Sequence, residues 1–184
     1  IKFNNDILHQ SKLVNYFNGD YSKAKIEKDI NNIESENLTK SKIKFNNKII
    51  HQSKLLNYFL NKTSLPKVEK ETNELLKKIK KNKKYSFSRK DIMMIESLKS
   101  DGVQINKKYN NMYESKSEIP SEINTMILNG EIGLVLLKLV EIIGEDELEN
   151  LDIDSVYYLV SILNQIKTID LRNKVLIQVL PLKV

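Results

Sequence analysis

Cysteine is absent from the 184-residue chain, which excludes disulfides and thiolate metal sites but leaves the redox compartment open. Glycine and proline are scarce, at five and three residues. An all-β sandwich needs more turn residues than that, so the shortage favours helices. No apolar run approaches the ~20 residues that cross a bilayer as a helix, so no transmembrane segment is expected in these residues. The longest run, Ile132 to Ile143, is interrupted by Gly133, Lys138 and Glu141 and reads as a buried core helix. Also missing are a phosphate-cradling glycine loop, a Walker sequence, a nucleophile elbow, an HExxH pair and a dinucleotide fingerprint. No enzyme, cofactor or metal centre is expected.

What the chain has is a near-duplicate. Ile1 to Phe17 reads IKFNNDILHQSKLVNYF and Ile43 to Phe59 reads IKFNNKIIHQSKLLNYF, identical at fourteen of seventeen positions with an offset of 42 residues. The match continues more loosely through Ser22 with Ser64, Lys25 with Lys67, Glu27 with Glu69 and Ile33 with Leu75. A fixed period of this length marks a helical repeat array, in which each unit buries its apolar face against its neighbours. The chain also opens at Ile1 without a Met, in phase with Ile43, and is expected to be the C-terminal part of a longer protein.

Apolar residues make up 40% of the chain and charged residues 29%, which suits a fold with a real core and a large solvated surface. The net charge of +6 is unevenly spread. Residues 1–118 hold 25 Lys plus Arg against 14 Asp plus Glu, whereas residues 119–184 hold 5 against 10. A basic front and an acidic tail suggest an anionic partner for the front or head-to-tail docking of the two ends. Abundant Lys, Asn and Ile also fit an AT-rich genome, which weakens any argument from basic charge alone.

The predicted fold is all-α: an αα-hairpin solenoid closed by a compact C-terminal helical cap. Residues 1–84 form two repeat units, 85–118 a bridging helix and polar linker, and 119–184 the terminal helices. In each unit, IKFNN is an extended lead-in turning at Asn-Asn. The apolar stripe Ile49, Ile50, Leu55, Leu56, Tyr58 and Phe59 predicts a helix over 47–60, with Ser53 as an internal N-cap if that helix starts late. In the first unit Asn18-Gly19-Asp20 stops the equivalent helix, and Ile26, Ile30 and Ile33 recur at helical spacing. Ser64 is placed to cap a second helix, with Pro66 in its first turn, Glu69 and Glu71 near its positive end and Val68, Leu75, Leu76 and Ile79 inward. Ser88 predicts another N-cap, with Asp91 in the first turn, Ile92, Met93, Ile95 and Leu98 buried, and Asp101-Gly102 as the stop. From Val103 to Glu118 the pattern is broken and polar, with one helical turn at 107–113. Pro120 opens a short helix that Asn129-Gly130 closes. The helix 131–143 is apolar on nearly every side and is expected to be surrounded by others. Gly144 ends it, Asp152 or Asp154 caps the next helix, and Asp170 caps the last, with Leu171, Val175, Leu176, Val179 and Leu180 inward.

Two stretches invite a chemical reading. His9 and His51 stand in HQSK, but helical residues two apart do not face each other, and a catalytic group does not recur once per repeat. Inter-repeat hydrogen bonds from His and Gln explain the motif better. The second stretch is KKIKKNKKYSFSRK, with Lys77, Lys78, Lys80, Lys81, Lys83, Lys84, Arg89 and Lys90 around Tyr85 and Phe87. That mix tracks phosphates and stacks bases, and an anionic membrane surface would satisfy the same charges. It also fits a solvated helix face with the aromatics packed inward.

From Pro120 onward, GEIGLVLLKLVEIIG, SVYYLVSILNQI and LRNKVLIQVLPL resemble the C-terminal helical tail of a group of uncharacterised alphaproteobacterial helical-repeat proteins. That tail runs as a GEALLRALELIG-like helix, an LYxxISxLNxL…R helix and a final xLLxxxL. The resemblance covers about a third of the chain. It implies a bacterial TPR-like solenoid and, through the secretion signals of several members, an envelope location. Those proteins have no established activity, so the resemblance implies no site residues. The expected role is therefore a non-catalytic α-solenoid presenting a concave, basic surface to a protein or peptide partner. A binder of nucleic acid or another polyanion through the 77–90 cluster is the alternative.

Overall fold

The computed structural model describes residues 43–113, 119–144, 147–148 and 150–181. The first repeat copy, including His9, Phe17 and the expected stop at Asn18-Gly19-Asp20, lies outside the described residues. Contacts group Lys44–Leu182 as one compact unit. Its regular structure is helical throughout, with no strand among the described residues. A 3-10 turn at Ile50–Gln52 precedes α1 (Leu56–Phe59), α2 (Leu65–Lys81) and α3 (Arg89–Ser100). A second 3-10 turn, Lys107–Met112, leads to α4 (Ser121–Leu128), α5 (Ile132–Ile143), α6 (Ile153–Gln165) and α7 (Ile169–Val179).

α3 is the hub. Its main neighbour is α6, α6 carries α7, α7 carries α1, and the first 3-10 turn sits on α3. Met93, Met94, Ile95 and Leu98 are wholly buried, because α3 is covered on more than one side. Its ends are set locally. Ser88 Oγ accepts from the Asp91 amide at 3.2 Å and the Asp91 carboxylate accepts from the Ser88 amide at 3.0 Å, a reciprocal capping box. At the other end Gly102 takes φ +96°, a conformation open to glycine, and the Val103 amide closes onto Leu98 O at 3.0 Å. Ser64 occupies the N-cap position of α2 without a side-chain capping bond, and Val68, Thr72, Leu76 and Ile79 form its buried face.

The expected helix over 47–60 is not continuous. Residues 43–46 are non-helical as predicted, but a 3-10 turn follows and α1 begins only at Leu56. Ser53 is the cause: its hydroxyl donates to Ile50 O at 2.7 Å and faces the Leu55 amide at 3.4 Å. It gives the backbone a local alternative to helical bonding. The helical turn expected at 107–113 is present, and its tyrosines Tyr109 and Tyr113 are buried. Asn73 of α2 ties this stretch down, accepting from the Asn106 amide at 3.0 Å and donating to Gln104 O at 2.9 Å.

Three expectations at the C-terminal end are corrected. α7 is preceded by Thr168 in the N-cap position, with Asp170 inside its first turn. Leu171 is 44% exposed, and Arg172 takes the inward place at 1%. The Arg172 guanidinium meets Asp101 through two parallel bonds of 2.8 and 2.6 Å. It also reaches Asn164 Oδ1 at 3.1 Å and Asn173 Oδ1 at 2.7 Å, and lies over the Phe59 ring at 5.7 Å. Asp101 caps the C-terminal end of α3, where the helix dipole disfavours a carboxylate. The buried arginine supplies the compensating charge and joins α1, α3, α6 and α7 at one point. Tyr58 borders it, its phenol pushed up by burial and by the Asp101 carboxylate. The third correction concerns α5, which buries only Val135 and Leu139 and is not enclosed by other helices among the described residues.

Candidate functional site

His51 is held by α3. Its backbone amide donates to Asp91 Oδ1 at 3.0 Å, and its Nδ1 lies 2.7 Å from the same oxygen. Tyr85 donates its hydroxyl to Asp91 Oδ2 at 2.9 Å and accepts from the Ile50 amide at 3.1 Å. Burial alone would raise the Asp91 pKa, but the bonds from His51 and Ser88 outweigh it and hold the carboxyl below its ordinary value. Burial pushes the Tyr85 phenol up, and the neighbouring Asp91 charge adds to that.

Serine, histidine and aspartate thus come together, though not as a nucleophilic triad. Ser88 Oγ and Asp91 Oδ1 both approach Nδ1, at 3.4 and 2.7 Å, while Nε2 faces Gln52 Nε2 at 3.3 Å. A triad needs the serine on the ring nitrogen opposite the carboxylate. The arrangement instead caps α3 and satisfies two backbone amides. Bonds between repeats were expected of His51 and Gln52; among the described residues His51 bonds instead to the start of α3, and Gln52 to His51.

The basic cluster divides. Lys77, Lys78, Lys80 and Lys81 are exposed on the last turns of α2, and Lys83 and Lys84 are exposed in the connection after it. Lys80 donates to Lys108 O at 3.2 Å and lies 5.8 Å from the Tyr109 ring centre. Arg89 and Lys90 point elsewhere. Arg89 Nε donates to Asp154 at 3.0 Å and its guanidinium covers Tyr157, while Lys90 Nζ donates to Val179 O at 2.7 Å. They bind α3 to α6 and α7. Tyr85 and Phe87 stack edge-on at 5.4 Å, with Tyr113 beside Phe87 at 6.3 Å, so both rings are engaged inside the fold. Two surface grooves flank the lysines: one of 290 Å³ lined in part by Lys70, Lys77 and Lys108, the other of 190 Å³ by Lys54 and Lys78. Glu74 lines both, so neither is purely cationic.

The surface that sequence reasoning missed is the hairpin of α4 and α5. Each residue of an α-helix turns 100° from the last. Gly133, Leu137 and Val140 therefore align, directly opposite the buried Val135 and Leu139. Leu137 is 67% exposed, Val140 63% and Ile142 50%; Leu134 at 43% lies beside the first two, and Leu128 at the tip of α4 reaches 80%. A run of large apolar side chains this dense on one hairpin is uncommon on a free surface. The all-round hydrophobicity of α5 signalled the burial demand. Nothing in the sequence said that the other described residues would leave the demand unmet.

Among the described residues no group of His, Asp and Glu is arranged to hold a metal ion, and no helix is long and apolar enough to cross a membrane. Compared with protein-family models, curated proteins and solved structures, the chain matches none of them.

Proposed function

We propose that this chain is a non-catalytic helical-repeat scaffold that docks a protein or peptide partner through the apolar face of α4 and α5. The exposure of Leu137 and Val140, opposite the buried side of the same helix, carries the reading. Apolar helix faces of this kind accept amphipathic helices with anchors at helical spacing. The repeat part of the proposal rests on the 42-residue duplication, with the α4–α7 helices as the terminal cap of the array. Selection of displayed amphipathic helical peptides against the full chain tests the docking. Enriched peptides should bind the wild type and fail to bind Leu137→Asp. Peptides that ignore the substitution, or no enrichment at all, would overturn it.

A second reading, polyanion binding, keeps one favourable observation: Lys77, Lys78, Lys81, Lys83 and Lys84 are solvent-exposed around one end of α2. Titration of labelled DNA, RNA and anionic vesicles against salt decides it, since such binding weakens steeply as salt rises. With Arg89 tied to Asp154 at the surface and Lys90 to Val179 O, the protein-docking reading predicts no binding at low salt.

A further inference from the structure

We infer that the groove between α2 and the second 3-10 turn binds a short peptide segment of alternating charge, with acidic, basic and acidic side chains at every second residue. The inference goes beyond the two readings above and needs neither. Lys70, Glu74 and Lys77 line one wall of the groove, and Lys108 and Tyr109 the other. A turn of 100° per residue brings Lys70, Glu74 and Lys77 onto one face of α2, and all three are exposed. Neighbours at this spacing commonly pair within a helix, as Lys138 and Glu141 do at 3.1 Å. Among the described residues no ion pair engages Lys70, Glu74 or Lys77. Charges of alternating sign thus stand open along the groove.

The two walls are fixed before any ligand arrives. Asn73 joins α2 to Gln104 and Asn106, and Glu69 Oε2 accepts from the Gln104 amide at 2.9 Å. Lys80 Nζ donates to Lys108 O at 3.2 Å. Tyr109 is buried, and Lys108 Nζ lies 5.0 Å from its ring centre, which positions that cation at the edge of the groove. A site held in this way loses little freedom on binding.

Charge order and spacing select the occupant. Lys70 and Lys77 are about 10.5 Å apart along the helix axis. An extended chain presents same-side residues every ~6.6–6.8 Å, so residues four apart span about 13 Å, a difference that lysine side chains take up. The same-side residue between them faces Glu74 and has to be basic. A nucleic-acid strand carries a phosphate at every step and would press one against Glu74. It would also find the nearby rings taken, since stacking needs a free aromatic face. Tyr85 and Phe87 pack on each other and beside Tyr113, and Tyr109 carries Lys80 and Lys108.

NMR titration of the full chain at low salt tests the inference, because amide shifts read weak binding and locate it. The probes are a peptide with Glu, Lys and Glu at alternate positions, the same peptide with Glu in the middle, and oligo-dT. The mixed-charge peptide should shift the amides of Lys70, Glu74, Lys77 and Lys108 and bind more tightly than the other two. Lys77→Glu and Lys108→Glu should each weaken it by about fivefold or more, as reversal turns an attractive contact into a repulsive one. Lys54→Glu, outside this groove, should leave it unchanged. Glu74→Lys should invert the order of the two peptides. The inference is overturned by shifts that appear elsewhere or not at all, by indifference to Lys77→Glu, or by an order that Glu74→Lys does not invert. Oligo-dT bound as tightly as the mixed-charge peptide also overturns it, in favour of the polyanion reading.

Discussion

α5 and α6 are of nearly equal length and both rich in aliphatic residues, yet they meet opposite surroundings. α6 buries Val156, Tyr157, Leu159, Val160, Ile162 and Leu163 between α3 and α7, whereas α5 buries Val135 and Leu139 and turns Leu137 and Val140 to solvent. Polar anchors separate the two. Asp152 caps α6 through the Asp154 and Ser155 amides at 2.9 Å each. Tyr157 donates to Glu96 at 2.8 Å, and Asn164 accepts from Arg172. α5 has no side-chain cap and, among the described residues, no such tie to the hub. Apolar content gives a helix its reason to be covered, but directional bonds select the element that covers it.

The comparison can be broken most forcefully at Arg172. Replacing it with alanine strands the Asp101 carboxylate in the interior and should cost about 4 kcal/mol in urea unfolding, since removing one partner of a buried pair leaves the other uncompensated. A loss below about 1 kcal/mol would mean that the polar junction does not hold α7 in place. Next comes Leu163→Ala on α6, where the emptied volume lies between packed helices and the expected loss is about 3 kcal/mol; thermal unfolding reads it directly.

Asp91→Asn should remove about 2 kcal/mol, because several donors lose a charged acceptor. The folded-state pKa of Asp91 is lowered from 3.8, so its contribution is complete well above that value and is lost as pH falls through the folded value. The stability gap between wild type and Asp91→Asn should therefore close in acid. Glu96 has the opposite sign: burial raises it from 4.5, so its protonated form is favoured on folding and that contribution fades as pH rises. Denaturant titrations at stepped pH separate the two carboxyls. The smallest effect sharpens the contrast of helices. Leu137→Ala should change stability by less than about 0.5 kcal/mol, as for a surface site. A loss approaching that of Leu163→Ala would place α5 in the core after all.

Much of the local architecture was legible in the sequence. Ser88 with Asp91 announced the start of α3, and Gly102, Gly130 and Gly144 mark helix ends with positive φ, since backbone conformation is dictated at those positions by the residue itself. Distant capture was not legible. The HQSK stripe has helical periodicity, but the Ile50 and His51 amides are taken by Tyr85 and Asp91, some forty residues or fewer away in sequence. α7 shows the same limit. Hydropathy ranks Leu171 as the inward residue, yet the vacant acceptors of Asp101 and Asn164 draw in Arg172 and rotate the helix accordingly. The candidate docking face was hidden for a related reason: a fully apolar stretch indicates that something must cover it, without indicating whether that cover lies in the same molecule.

The guanidinium of Arg172 also bears on biosynthesis. Asp101 leaves the ribosome 71 residues ahead of the arginine that pairs with it, so until α7 emerges its carboxylate is expected to stay in water and the C-terminal end of α3 to stay open. Closure of that end is then expected to be a late step in the folding of the unit.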